Sequence, residues 1–265
     1  MFDQFNRRIH YLRLSVTDRC NLRCRYCMPE EGVPLMERGD ILSFEEIYAL
    51  TIKAVEMGID KVRITGGEPL VRHGILDLVR MLAGITGIAD LTMTTNGTLL
   101  PEYATPLRQA GIRRINISLD AMDPDRFREI TRMGDINQVL AGIKAAQGAG
   151  FDQIKLNCVV DESPAETDAQ AVAAFARDQG LEVRFIRRMD LKTGHFWPIA
   201  GSGGGHCETC SRLRVTSDGR IFPCLFSNTF YSIREHGIET ALRLAVENKP
   251  KSGKSSDIGI HALGG

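Results

Sequence analysis

Residues 12–27 read LRLSVTDRCNLRCRYC, and this stretch decides the fold. Alternation from Leu12 to Val16 predicts a strand, and Cys20, Cys24 and Cys27 (CxxxCxxC) follow on the loop at its C-terminal end. Three thiolates can hold a [4Fe-4S] cube at three corners and leave the fourth iron open, whereas a structural zinc site is normally closed by four ligands. A second triad, Cys207, Cys210 and Cys224, stands near the other end of the chain. The first pair is a CxxC; Arg212–Thr216 and Arg220–Phe222 then alternate around Ser217-Asp218-Gly219, a hairpin that returns Cys224 toward Cys210. Arg212 and Arg214 project from one face beside this triad. A zinc site closed by His206 is the alternative for the second triad; the missing fourth thiolate favours a cluster whose open iron takes substrate.

Between the triads, short apolar strands alternate with amphipathic helices, the pattern of parallel βα units. Strands are expected at Leu12–Val16, Lys61–Thr65, Leu91–Thr94, Arg114–Ser118, Ile154–Val160 and Leu181–Ile186. Ser43 with Glu46 three residues on forms a capping box that starts a helix stopping at Gly58. Further helices fit Leu76–Met81, Val139–Gln147 and Ala165–Arg177. Six repeats are too few for a closed eight-stranded barrel, so the fold class is α/β, a partial (β/α)6 TIM-like barrel with a small C-terminal cluster-binding extension and its chemistry at the strand C-termini. The expected division is 8–190 for the barrel, 191–205 for a linker and 206–265 for the C-terminal region and tail.

Composition sets broad limits. The 265 residues carry 33 basic and 33 acidic side chains, so net charge points to no nucleic-acid partner. No apolar run is long enough to span a membrane, and the start MFDQFNRRIHYLRLS lacks a secretory apolar region. Seven cysteines at motif spacings then read as metal ligands in a reducing cytoplasm rather than as disulfides.

Strand period two assigns faces. Lys61, Arg63 and Thr65 oppose Val62 and Ile64; Arg114, Asn116 and Ser118 oppose Ile115 and Ile117; Lys155 and Asn157 oppose Leu156 and Cys158. Outer helices need the apolar faces, so the polar ones point into the barrel. A lumen with Arg13, Arg63, Lys155 and Arg184 anticipates a polyanion such as a nucleoside triphosphate, because buried cations without partners are expensive. At the strand ends, the bare glycines of GGEP (Gly66 to Pro69) permit close backbone approach to a ligand, while TTNG (Thr94 to Gly97) and SLD (Ser118 to Asp120) offer hydroxyls.

These motifs, taken in order, resemble the GTP 3′,8-cyclase family of radical S-adenosylmethionine enzymes, which begin molybdenum cofactor biosynthesis. LRLSVTDRCNLRCRYCMP, KVRITGGEPLVR, TTNG, INISLD, KLN, VRFI, CETCSRLRVTSDGRIFPCLF and the terminal Gly264-Gly265 carry the resemblance over residues 8 to 265. It implies two [4Fe-4S] clusters, on Cys20, Cys24 and Cys27 and on Cys207, Cys210 and Cys224, with S-adenosylmethionine chelated at the first. It implies cofactor contacts from Tyr26, Gly66, Gly67, Glu68, Ser118, Arg184 and Met189. It likewise implies GTP contacts from Arg13, Lys61, Arg63, Thr94, Lys155, Arg212, Leu213 and Arg214, and a catalytic role for Arg212, Arg214 and the Gly264-Gly265 tail reaching into the site. By the same resemblance, S-adenosylmethionine cleavage yields a radical that takes hydrogen from C3′ of GTP, and C3′ then joins C8. An electron donor such as flavodoxin or ferredoxin and a homodimer are the expected partners besides GTP.

One departure stands out. Family members carry several tens of residues between VRFI and the second triad, where this chain has RRMDLKTGHFWPIA followed by GSGGG, the composition of a flexible linker. A thinner cavity wall is expected there, and with it cofactor cleavage largely uncoupled from cyclisation. Two other classes share the first triad: a peptide-modifying radical enzyme with an auxiliary cluster, and a catalytically impaired cluster-binding homologue. Arg212, Arg214 and the Gly-Gly end favour the nucleotide cyclase. Cys158 reads as a buried apolar residue, His206 as a loop residue and Trp197 as a plug of the short segment.

Overall fold

The computed structural model describes residues 1–199 and 204–263. Six parallel strands run in chain order, the first five each followed by helical structure: β1 (Tyr11–Ser15), β2 (Lys61–Thr65), β3 (Asp90–Thr95), β4 (Arg114–Ser118), β5 (Gln153–Val160) and β6 (Glu182–Arg187). The helices between them are α1 (Phe44–Glu56), α2 (Ile75–Ala83), α3 (Leu100–Ala110), α4 (Pro124–Thr131), α5 (Ile136–Gly148) and α6 (Thr167–Asp178). Beyond β6 come β7 (Arg212–Val215), β8 (Arg220–Phe222), β9 (Tyr231–Ser232), the one-turn α7 (Ile233–His236) and α8 (Ile238–Glu247). The sheet order β6-β5-β4-β3-β2-β1-β7-β8-β9 leaves β6 and β9 as edges, so the barrel is open as six repeats require.

Local chemistry explains the elements. Ser43 and Glu46 close a reciprocal capping box, Glu46 N donating to Ser43 Oγ at 3.1 Å and Ser43 N to Glu46 Oε2 at 2.7 Å. Val62, Ile64, Ile115, Ile117, Leu156 and Cys158 are wholly or almost wholly buried against the outer helices, the apolar half of each period-two pattern.

The hairpin β7–β8 does not stand apart. β7 joins the other side of β1 in parallel, with Arg13 opposite both Arg63 on β2 and Arg214 on β7, and Tyr11 opposite both Lys61 and Arg212. Chain residues two hundred apart thus share one row of the sheet.

Candidate active site between two cysteine triads

A cavity of roughly 510 Å³ lies inside the sheet. Its wall is built strand by strand from the polar faces: Tyr11 and Arg13, Lys61 and Arg63, Thr94, Asn116 and Ser118, Lys155 and Asn157, Arg184, Arg212 and Arg214. The expected inward face therefore holds for these residues. Thr65 is an exception, being buried with its hydroxyl donated to Leu14 O. Leu213 is another: its side chain is fully buried in the apolar core, as alternation between the inward Arg212 and Arg214 dictates.

The cations are not all alike. Lys61 is ion-paired to Asp90 at 2.9 Å, Arg114 shares the same carboxylate, and Lys155 reaches Glu182 at 2.6 Å. Arg63, 7% exposed, donates from Nε to Tyr11 Oη at 2.6 Å and from Nη1 to Thr94 Oγ1 at 3.1 Å. Burial lowers the proton affinity of Arg13 and Arg214, and mutual repulsion among Arg13, Arg63, Arg212 and Arg214 adds to it. Like charges placed opposite one another across strands destabilise a sheet, so this row is suited to an anion rather than to folding.

The first triad lies at one side. Cys24 and Cys27 are raised by burial, Cys27 to about 12, and each is pushed further by its neighbouring thiols. A cluster must displace those protons, so its binding is tied to pH and to folding. The donor set suits a cluster: the three free thiols feel one another's charge, and the Leu22 amide is aimed at Cys20 Sγ at 3.4 Å, the hydrogen bonding that iron–sulfur ligands take. Tyr26 and Cys27 reach the cavity wall, and Tyr26 Oη donates to Asp120 Oδ2 at 2.8 Å. Asp120 also accepts from Val159 N and is raised to about 6, mainly by burial.

GGEP plays a part the sequence does not announce. A Cβ on Gly67 would stand 2.2 Å from Arg19 O, and one on Gly66 3.0 Å from Thr17 O. Gly67 N donates to Thr17 O and Glu68 N to Arg19 O, both at 2.8 Å. The close approach in this structure is therefore to the loop entering the first triad. The buried Glu68 carboxylate accepts from Thr95 Oγ1, Asn96 N and Leu70 N, tying GGEP to TTNG, and burial lifts it to about 7.

Opposite lies the second triad, with Cys207, Cys210 and Cys224 all on the cavity wall. The Phe226 amide points at Cys224 Sγ at 3.4 Å, matching the amide at Cys20. Among the described residues, no three His, Cys, Asp or Glu side chains converge on a single ion, whose zinc–sulfur distances would be about 2.3 Å. Two residues that the sequence reading passed over brace this side. Lys249, 1% exposed, donates to Arg212 O at 2.7 Å and Pro223 O, and bonds Cys210. Buried Arg7 donates to the carbonyls of Cys207, Pro250 and Lys251. Neither had a local signal, since both act across distances of tens to hundreds of residues.

The last described residues come between the triads. Arg214 donates to Leu263 O at 3.1 Å, His261 lies 3.4 Å from Cys27 O, and Ile260 lines the cavity. Gly253 passes Cys224 where a Cβ would sit 3.3 Å from its sulfur. Gly264 and Gly265 lie outside the described residues, as does part of the GSGGG run. The flanks of that run do form wall: Met189, Phe196, Ile199, Gly204 and Gly205 face the cavity, and Phe196 packs on Phe226 with ring centroids 4.7 Å apart. Trp197 is half-buried beneath the Arg187 guanidinium, 3.8 Å from its ring.

Comparisons with known proteins fit this geometry. Residues 14–175 match the Radical SAM superfamily model. A GTP 3′,8-cyclase of Geobacter sulfurreducens is 41% identical over 304 positions, covering 95% of this chain and 93% of that protein. One of Peptoclostridium acidaminophilum is 39% identical over 306 positions, 97% of this chain and 94% of that protein. The chain belongs to the GTP 3′,8-cyclase family. Both alignments are longer than the 265-residue chain, so these relatives carry residues that it lacks. Solved structures agree on the fold alone: Streptococcus suis SuiB bound to S-adenosylmethionine, at TM-score 0.67 and 14% identity, covers 91% of this chain and 66% of that longer one. Histidine-tagged anSMEcpe with bound AdoMet gives TM-score 0.61 at 16% identity, covering 91% of this chain and 81% of that one.

Proposed function

We propose that this chain is a GTP 3′,8-cyclase acting in molybdenum cofactor biosynthesis, with a [4Fe-4S] cluster and S-adenosylmethionine at the first triad and a second cluster at the other. The observation that carries the reading is a cation-lined cavity with a thiol triad on each side. The cluster and S-adenosylmethionine supply, when bound, the one-electron chemistry that removes a hydrogen atom from C3′ of GTP. The protein's share is binding, orientation and exclusion of water.

Tyr26, Ser118, Arg184 and Met189 line the same cavity as Cys27, and these are the residues we assign to the cofactor. Arg13, Arg63, Thr94 and Lys155 also line this cavity and are assigned to the triphosphate. Arg212 and Arg214 stand beside the second triad and are assigned to GTP, with the base proposed near that cluster and the ribose between the two. Arg214 also holds the tail through Leu263 O, and the Gly264-Gly265 that follow are assigned a catalytic role. Gly66, Gly67 and Glu68 act on the cofactor through the loop they shape.

An electron donor such as flavodoxin or ferredoxin is required for the one-electron step, and a homodimer is the proposed assembly. Among the described residues no helix is long and apolar enough to cross a membrane. Free thiols and an oxygen-labile cluster suit a reducing compartment such as the cytoplasm.

Anaerobic reconstitution and iron analysis of serine variants test the two-cluster reading. Replacing Cys20, Cys24 or Cys27 is expected to remove about four irons per chain and abolish S-adenosylmethionine cleavage. Replacing Cys207, Cys210 or Cys224 is expected to remove another four, to spare uncoupled cleavage and to abolish cyclisation. Stoichiometric zinc at the second triad after anaerobic purification would contradict it.

A further inference from the structure

Tyr11 lies at the centre of the cationic wall. Its hydroxyl oxygen accepts from Arg63 Nε at 2.6 Å and is hydrogen-bonded to Arg13. Lys61 Nζ lies 5.1 Å and the Arg212 guanidinium 5.6 Å from its ring centroid. Arg184 and Arg214 also feel its charge. The nearby carboxylates are already engaged, Asp90 by Lys61 and Arg114 and Glu182 by Lys155. Tyr11 is 8% exposed, and a buried oxygen facing two guanidinium groups is better satisfied as an acceptor of both than as a donor.

We propose that Tyr11 is the internal counter-group of the triphosphate site: its oxygen holds Arg13 and Arg63 in place, and arriving phosphates displace it from them, Tyr11 taking one proton from solvent. The proposal rests on the GTP reading and deepens it. Burial works against ionisation of the phenol, but Arg13, Arg63 and Arg212 outweigh it and bring the hydroxyl down from its usual 10 to about 7. Phosphate oxygens on those arginines remove that stabilisation and add repulsion, so the phenolate is reprotonated. Binding coupled to proton uptake weakens as pH rises above about 7, by up to about tenfold per pH unit, and is unaffected by this group below it.

The test is calorimetric titration of anaerobically reconstituted protein at pH 8 in two buffers of different ionisation enthalpy. Phosphate ionisation near 6 is complete at that pH and contributes no proton. The wild-type protein is expected to take up close to one proton with GTP and none with guanosine. Tyr11→Phe is expected to bind GTP with little proton uptake and a flat affinity between pH 7 and 9. If the variant does not fold, the wild-type difference between GTP and guanosine decides alone. GTP binding without proton uptake, or equal uptake by Tyr11→Phe, overturns the role of Tyr11 and leaves the cyclase reading standing. Absence of GTP binding overturns both.

Discussion

Gly67→Ala tests whether GGEP serves the loop of the first triad. The added methyl would lie 2.2 Å from Arg19 O, 2.6 Å from Arg19 C and 3.0 Å from Asp18 O, all backbone atoms of the segment that leads into Cys20. No side-chain rotation relieves such a contact, so the loop itself must move. Overpacking costs about 1–3 kcal/mol, and the two hydrogen bonds lost with it, Gly67 N to Thr17 O and Glu68 N to Arg19 O, about 0.5–1.5 kcal/mol each. The sum, about 2–6 kcal/mol, exceeds what a local loop can absorb, and the expected result is detachment of Cys20 with the barrel intact. Iron and sulfide analysis after anaerobic reconstitution should show the loss of about four irons per chain, with helix ellipticity unchanged. Gly66→Ala is the internal control: its nearest contact is 3.0 Å, and it should keep its iron. Gly67→Ala with full iron and an unchanged melting temperature would refute the reasoning.

Two further outcomes follow from the wall. Arg63→Ala should weaken GTP binding by about 1.5–3 kcal/mol, the range for charge-assisted hydrogen bonds, with guanosine unaffected. Lys61→Ala should cost clearly less, because Lys61 is already ion-paired to Asp90; calorimetric affinities that rank the two the other way would contradict the assignment. Phe196→Ala removes the ring that packs on Phe226 beside the short segment, and should raise the ratio of 5′-deoxyadenosine to cyclised nucleotide several-fold. An unchanged ratio in liquid-chromatographic product analysis would show that this ring does not seal the site.

Where local chemistry was decisive, the sequence could be read closely. The expected Lys61–Thr65 and Arg114–Ser118 coincide with β2 and β4, and the capping box places the start of α1. β1 begins one residue earlier than expected, at Tyr11, and that single residue hides a side chain at the centre of the cavity. α3 escaped notice because Pro101 and Pro106 break its pattern, and α4 because it is only eight residues long. The parallel pairing of β7 with β1 has no local signal at all. It is a non-local choice of sheet edge, and from it follow the rows Arg63–Arg13–Arg214 and Lys61–Tyr11–Arg212. GGEP shows the complementary difficulty: glycines announce that something comes close, but not whether it is a ligand or the chain itself.

The central claim is that the cavity between the triads holds the ribose of GTP against the cofactor's radical. Protein with both clusters loaded, given S-adenosylmethionine, reductant and GTP carrying deuterium at C3′, tests it most directly. The account predicts deuterium in 5′-deoxyadenosine together with chromatographically resolved 3′,8-cyclised nucleotide, the deoxyadenosine in several-fold excess because the wall is short. 5′-Deoxyadenosine free of that deuterium, with no cyclised nucleotide from fully loaded protein, would contradict it.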